Sequence, residues 1–304
     1  MPAAKTLVCV VGPTAVGKTA AGIRLARYFQ TVVVSADSRQ FYREMTIGTA
    51  KPSVGELAAV PHHFINSHHI TEDYSAGDFE RDALALLAEL FLQHDVVMLV
   101  GGSGLFVRAV CHGLDELPKP LPGVRDRLNN LYREQGLEAL QTLLKQADPD
   151  YFNEMDSRNP QRVIRALEVY ESSGRPFSHF RRGHAVERPF KVLSLALNTD
   201  RTLLYQRINS RVDAMMEAGL LKEVESLLLY REKPPLQTVG YAELFDYLDG
   251  KYTLEGAVDK IKQNTRRYAK RQLTWFRKEE TTAWFATEDM DGMIAYVSSR
   301  LNPQ

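Results

Sequence analysis

The octapeptide Gly12-Pro13-Thr14-Ala15-Val16-Gly17-Lys18-Thr19 fits the pattern G-x-x-x-x-G-K-[ST] at every fixed position. Residues 7–11 before it form a short apolar run. Residues 20–29 after it place Ile23, Leu25, Ala26 and Phe29 on one helical face. Strand, loop and helix in that order make the setting in which such a loop cradles phosphate. The glycines let successive N–H groups turn inward, Lys18 adds a point charge, and the following helix aims its positive end at the same spot. Thr19 carries the hydroxyl that in such loops reaches Mg²⁺. The loop predicts a bound di- or triphosphate, and kinases, switch GTPases, motors and some transferases all use one.

Further apolar runs build a parallel sheet around this first unit. Residues 31–34 read as a buried strand leading into Ser35-Ala36-Asp37-Ser38, and residues 96–100 as another leading into Gly101-Gly102-Ser103-Gly104. In an open α/β sheet, ligands lie beyond the carboxyl ends of the strands, so Asp37 would share a crevice with the phosphate loop and is the leading catalytic candidate. An Asp beside Ser is also a common turn or helix cap, and that reading stays open. Residues 75–93 carry Leu84, Leu87, Ala88 and Phe91 at helical spacing, with a cap at Ser75 or Asp78. The third apolar strand ends in glycines, where a hydrolytic phosphate-loop protein would place a Mg²⁺-organising Asp. No Asn-Lys-x-Asp guanine-reading motif is evident, which disfavours a plain GTPase or ATPase.

From Leu114 the composition changes. Pro118, Pro120 and Pro122 mark a break, and helical patterns follow at 124–131, 137–144 and 159–170. The last opens with Asn159 as cap and Pro160 at the first position, and Gly174 lies beyond its end. Residues 114–189 are therefore expected to be an all-helical insertion. It is arginine-rich, with Arg158, Arg162, Arg165, Arg175, Arg181, Arg182 and Arg188, and with His179 and His184 between them. A strand at 190–197 returns the chain to the sheet, so residues 1–113 and 190–304 make the core. Helices are expected at 200–218 and 220–230. The first sets Arg207 and Arg211 four apart on one face, to meet either a phosphate or surface acids such as Asp213 and Glu217.

The 304-residue chain has no net charge, 44% apolar and 25% charged residues, the composition of a globular protein. No stretch approaches a membrane span or a signal peptide, so a cytoplasmic protein is expected. Cys9 and Cys111 read as small core residues. His62, His63, His68 and His69 are adjacent pairs rather than i, i+4 pairs and do not suggest a metal site. Local charge is uneven, however. Between Lys260 and Lys278 lie eight basic residues and no acidic one, with Tyr268, Trp275 and Phe276 interleaved. Such a helix suits a phosphodiester backbone and unpaired bases.

With all of these on one chain, the motifs GPTAVGKT, SADSRQFY, IGTAKP, GGSGLF, NPQRVIRALEVYESSGRP, TVGYAE and KRQLTWFRK resemble, in order, those of the tRNA isopentenyltransferase family, the bacterial tRNA dimethylallyltransferases. The resemblance implies an α/β fold of P-loop NTPase-like, nucleotide-kinase-like type, a parallel sheet flanked by helices with an all-helical insertion domain. It implies transfer of a dimethylallyl group from dimethylallyl pyrophosphate to N6 of the adenosine 3′-adjacent to the anticodon, in tRNAs reading codons that begin with U. A pyrophosphate that leaves rather than hydrolyses needs the loop but no water-positioning acid.

By the resemblance, Asp37 is the general base, and Lys18, Mg²⁺ at Thr19 and Arg211 neutralise the departing pyrophosphate, which the loop from Gly12 through Pro13, Thr14, Ala15, Val16 and Gly17 holds. Contacts to the tRNA anticodon stem-loop are implied at Asp37, Ser38, Arg39 and Gln40, at Ser103, and at Arg125. They are implied also at Gln161, Arg162, Val163, Ile164 and Arg165, at Thr238, Val239, Gly240 and Tyr241, and at Lys270, Arg271, Gln272, Trp275 and Arg277. Ser103 stands where Thr is usual, keeping the hydroxyl, and Phe106 where Tyr is common, losing one. Mg²⁺ is the expected cofactor, no structural metal is implied, and a monomer is expected. A small-molecule kinase and a nucleotide-switched RNA-binding module are the competing classes. The kinase leaves the basic aromatic helix unexplained, and the module has no use for Asp37 as a base.

Overall fold

The computed structural model describes residues 5–181 and 186–301, which divide into two compact units: the chain up to His112 together with the chain from Glu187, and Gly113–Val186. The first unit carries a six-stranded sheet. Its strands are β1 (Thr6–Val11), β2 (Val33–Ser35), β3 (His62–His63), β4 (Val96–Val100), β5 (Lys191–Asn198) and β6 (Ala283–Ala286), ordered β3-β2-β4-β1-β5-β6. Every neighbouring pair is parallel. All six residues of β1 are buried, as a strand covered on both faces requires.

In chain order the helices are α1 (Lys18–Tyr28), α2 (Val54–Ala59), α3 (Ala76–Gln93), α4 (Gly104–His112), α5 (Val124–Ala147), α6 (Pro149–Glu154), α7 (Pro160–Ser173), α8 (Arg201–Glu217), α9 (Leu220–Ser226), α10 (Tyr241–Leu248), α11 (Leu254–Phe276) and α12 (Met290–Leu301). Two apolar clusters fill the first unit, one holding Leu7, Cys9, Phe41 and Phe79, the other Val8, Val10, Leu25 and Met98. Because β1 alternates its side chains, Leu7 and Cys9 enter one cluster while Val8 and Val10 enter the other.

The structure refines several expectations. Strand β2 begins at Val33, and Thr31 instead donates its hydroxyl to the Val96 carbonyl. Ser75 caps α3 in a capping box with Asp78, as its sequence suggests. The buried row of α3 is Phe79, Ala83, Leu87 and Phe91, whereas Ala88 is exposed. The row starts at Phe79 because its ring stacks on Phe41 at 5.2 Å and meets Phe106 at 5.5 Å. The last strand and helix, β6 and α12, were not apparent from the sequence.

The second unit is helical. The patterns at 124–131 and 137–144 are two helical stretches of α5 that meet in a kink at Gly136, whose φ of 76° lies in the left-handed region. Helix α7 has Asn159 accepting from the amides of Gln161 and Arg162, Pro160 in its first turn, and Gly174 at its end with φ 70°. Leu128, Leu140, Leu144, Val163, Ile164 and Leu167 make this unit's own core. Buried Asp148 ties the start of α6 to the turn that follows α7 by accepting from Ser178 N at 2.7 Å and Ser178 Oγ at 2.9 Å. Arg182 and His184 lie outside the described residues. No helix among the described residues is long and apolar enough to cross a membrane.

Candidate functional site

Because the sheet is parallel, the carboxyl ends of β1, β2 and β4 open on one edge. The first runs into the phosphate loop, the second into Asp37, and the third into Gly101–Gly104. The strand ends are bound together: Ala36 N donates to Val100 O at 2.8 Å and Gly101 N to Val10 O at 3.2 Å. A Cβ at Gly101 would stand 2.3 Å from the Ala36 carbonyl oxygen, so only glycine permits this approach.

The loop closes on itself. Lys18 Nζ donates to Pro13 O at 2.8 Å, and Gly17, with φ 103°, starts α1. Burial pulls the Lys18 ammonium down to about 8; Asp37 opposes this and Arg211 adds to it. Arg211, on α8, donates to Thr14 Oγ1 at 3.3 Å. Its guanidinium too is disfavoured by burial and favoured by Asp37. Asp213 pairs instead with Lys262 at 2.6 Å, so the phosphate-facing alternative for Arg211 is the one its contacts fit.

These groups line one cavity of about 440 Å³, with Thr14, Lys18, Thr19, Asp37, Arg207 and Arg211 on its walls. Asp37 Oδ1 accepts from Arg39 N at 3.0 Å, so the carboxylate also caps a turn. Beside it, Ser103 Oγ accepts from Ser38 N at 3.0 Å and donates to Ser38 Oγ at 3.1 Å. Tyr268, on α11, lines the same cavity; burial, reinforced by the charge of Asp37, pushes its phenol up to about 12.

Several expected contact residues are engaged otherwise. Val163 and Ile164 are buried in the helical unit's core and Tyr241 in the core of the first, so these side chains do not face RNA. Gln272 is also buried. Its Oε1 accepts from Thr14 N at 2.8 Å, and its Nε2 donates to Gly102 O at 2.9 Å. Gln272 thus links α11 to the phosphate loop and to the glycine turn. Gln40 uses its amide on the carbonyls of Thr49 and Ala50, both at 3.2 Å.

Other expected residues remain available. Gln161 and Arg162 are exposed on α7, while Arg125 and Arg165 are held by buried Glu168 at 3.3 and 2.6 Å. Thr238 and Val239 are half-buried and Gly240 is buried just before α10. Trp275 lies so close to Gly104 that a Cβ there would meet its ring at 2.3 Å.

Helix α11 divides its basic residues. Lys262 pairs with Asp213, Arg266 donates to Asn209 at 2.6 Å, and Lys260 sits over the Tyr252 ring. Arg267, Lys270, Arg271, Arg277 and Lys278 are exposed. Among the described residues no group of three or more His, Cys, Asp or Glu side chains could hold a metal. The small-residue segment Thr46 to Pro52 reads from sequence as a loop near the site, and its Thr49, Ala50, Lys51 and Pro52 do line the cavity; sequence reasoning missed Tyr268 as a lining residue, and Glu223, which holds that loop.

A family model described as IPP transferase matches residues 40–279. A curated tRNA dimethylallyltransferase of Christiangramia forsetii is 48% identical over 297 residues, covering 97% of this chain and 98% of that protein. Another from Cytophaga hutchinsonii is 47% identical, covering 98% of each. The crystal structure of the full-length tRNA isopentenylpyrophosphate transferase of Bacillus halodurans superposes with a TM-score of 0.72 at 38% identity, covering 98% of this chain and 97% of that one. A eukaryotic dimethylallyltransferase captured acting on tRNA gives a TM-score of 0.78 at 25% identity over 97% of this chain and 77% of its own.

Proposed function

Because the chain belongs to the IPP transferase family, we propose that it transfers a dimethylallyl group from dimethylallyl pyrophosphate to tRNA, at N6 of the adenosine 3′-adjacent to the anticodon in tRNAs that read codons beginning with U. The products are N6-(dimethylallyl)adenosine and pyrophosphate. The observation that carries the reading is one cavity in which Asp37 shares walls with Lys18, Arg211 and the phosphate loop, under a helix with an exposed basic face.

The chemistry follows from those groups. The pyrophosphate lies in the loop, where the Lys18 and Arg211 charges favour the negative charge that gathers as the allylic C–O bond breaks. Mg²⁺ suits a site offering one hydroxyl, since that ion keeps several waters and takes substrate phosphate oxygens; Thr19 would hold it. Bound there, it would neutralise part of the pyrophosphate charge. The adenine N6 is a weak nucleophile because its lone pair is delocalised into the ring. As its new bond to carbon forms, Asp37 accepts the amine proton, a role worth about 10²- to 10⁴-fold. The adenosine must leave the anticodon stack to enter the cavity, at a cost of a few kcal/mol. Exposed Lys270, Arg271 and Arg277 can then follow the RNA backbone.

The test is incubation with Mg²⁺, radiolabelled dimethylallyl pyrophosphate and unmodified tRNA whose anticodon ends in A. Label should enter the RNA with the unaltered protein, and Asp37→Ala should lower the rate by about 10²-fold or more. Absence of label together with tight ATP binding would replace this reading with a kinase.

A further inference from the structure

The segment Thr46-Ile47-Gly48-Thr49-Ala50-Lys51-Pro52 contributes its last four residues to the wall of the cavity that Lys18 and Asp37 also line. It has no regular secondary structure of its own, so something else must fix it. One side chain does most of this. Glu223, on α9, accepts from Thr46 N at 3.0 Å and Ile47 N at 2.7 Å through Oε2, and from Gly48 N at 3.0 Å through Oε1. Three successive amides converging on a carboxylate form an anion nest. Tyr241 OH donates to the same Oε1 at 2.6 Å, and its phenol is held protonated by burial and by the Glu223 charge. Gly48 lies so near the Tyr241 ring that a Cβ would approach it to 2.5 Å.

The far end of the segment is tied separately. Gln40 donates to the Thr49 and Ala50 carbonyls, and Lys51 Nζ donates to Asn66 Oδ1 at 2.6 Å and to the Tyr42 carbonyl. Within this far anchor Ala50 sits at φ 46°, a left-handed conformation that a non-glycine residue keeps only where its surroundings dictate it.

We propose that Glu223, braced by Tyr241, is a positioning residue for prenyl transfer: it fixes the 49–52 wall of the cavity against the dimethylallyl pyrophosphate. The inference rests on the prenyl-transfer reading above. It gives the motif IGTAKP and the buried tyrosine of TVGYAE a shared purpose. The wall belongs to the cavity that starts at the phosphate loop, so its displacement alters the fit of the prenyl donor. It leaves the exposed face of α11 as it was.

The experiment measures both substrates' KM and the amide hydrogen exchange of residues 46–48 in Glu223→Gln, Glu223→Ala and Tyr241→Phe. Glutamine retains one acceptor oxygen but turns an NH₂ toward amide donors. Tyr241→Phe removes a single hydrogen bond and keeps the ring, so it stays informative should a Glu223 variant fail to fold. Exchange should accelerate in all three. KM for dimethylallyl pyrophosphate should rise about ten-fold or more in Glu223→Ala, in line with the penalty for small misplacements. The rise should be smaller in Glu223→Gln and smallest in Tyr241→Phe, and in each variant KM for tRNA should change less than KM for dimethylallyl pyrophosphate, because the exposed face of α11 is untouched. Accelerated exchange with both KM values unchanged would overturn the positioning role, and unaltered exchange would overturn the clamp itself. Failure of the unaltered protein to label tRNA would instead reject the prenyl-transfer reading, while the exchange measurement still decides whether Glu223 holds the loop.

Discussion

Lys18 and Asp37 stand in one cavity, where burial works against the Lys18 ammonium and the Asp37 charge favours it. The Lys18 pKa is lowered from 10.5 to about 8, so its positive charge is present below pH 8 and is lost as pH rises through that value. The charge is needed by the incoming pyrophosphate. Hence kcat/KM for dimethylallyl pyrophosphate, which reports the free enzyme, should fall as pH passes about 8. A profile level to pH 10 would show that Lys18 does not titrate there. Lys51 is also brought to about 8 by burial, but its ammonium is turned to the carbonyls of Tyr42 and Arg43 and to Asn66, so Lys51→Arg should keep the same descent. Lys18 and Asp37 were legible in the sequence because a fixed spacing marks the first and a strand end the second. Glu223 was not, because the amides it accepts from lie 175 to 177 residues earlier in the chain and a lone glutamate on a short helix reads as surface.

Helix α11 shows what an element's composition reveals and what it hides. Its run of basic residues was plain, yet Lys260, Lys262 and Arg266 meet partners on their own unit, which only the fold could show. Gln272 looked like one more polar residue on an RNA-binding face. It points inward and joins Thr14 N to Gly102 O. Gln272→Leu would strand the buried carbonyl of Gly102, at a cost of about 1–3 kcal/mol, and release the part-buried N–H of Thr14. The variant should therefore melt earlier and show a raised KM for dimethylallyl pyrophosphate. Gln272→Glu keeps the acceptor for Thr14 but loses the donor to Gly102, and should fall between. If the leucine variant matches the unaltered protein in Tm and in KM, the tether contributes nothing. The two strands missed from sequence share a cause: β3 has two residues and β6 four half-buried or exposed ones, too few for a periodic pattern to register.

The whole chain is electrically neutral, with 38 basic and 38 acidic residues, yet its proposed substrate is a polyanion. Net charge therefore cannot draw RNA in, and the field that matters is local. At physiological ionic strength charges are screened over about 8 Å, so the exposed residues Arg267, Lys270, Arg271, Arg277 and Lys278 act on RNA phosphates only at close range. Each phosphate so neutralised releases counterions, and log Kd for tRNA should rise linearly with log salt. Removing one such contact lowers the magnitude of that slope by roughly 1. Lys270→Ala, a change on an exposed turn of α11, should weaken tRNA binding, flatten the salt dependence by about that amount, and leave KM for dimethylallyl pyrophosphate as it was. Lys262→Ala is the internal comparison: Lys262 is already paired with Asp213, so its loss should leave the slope nearly unchanged. Equal slopes for the two variants would mean that the exposed row of α11 does not lie against the RNA backbone, and that the basic run serves the fold instead.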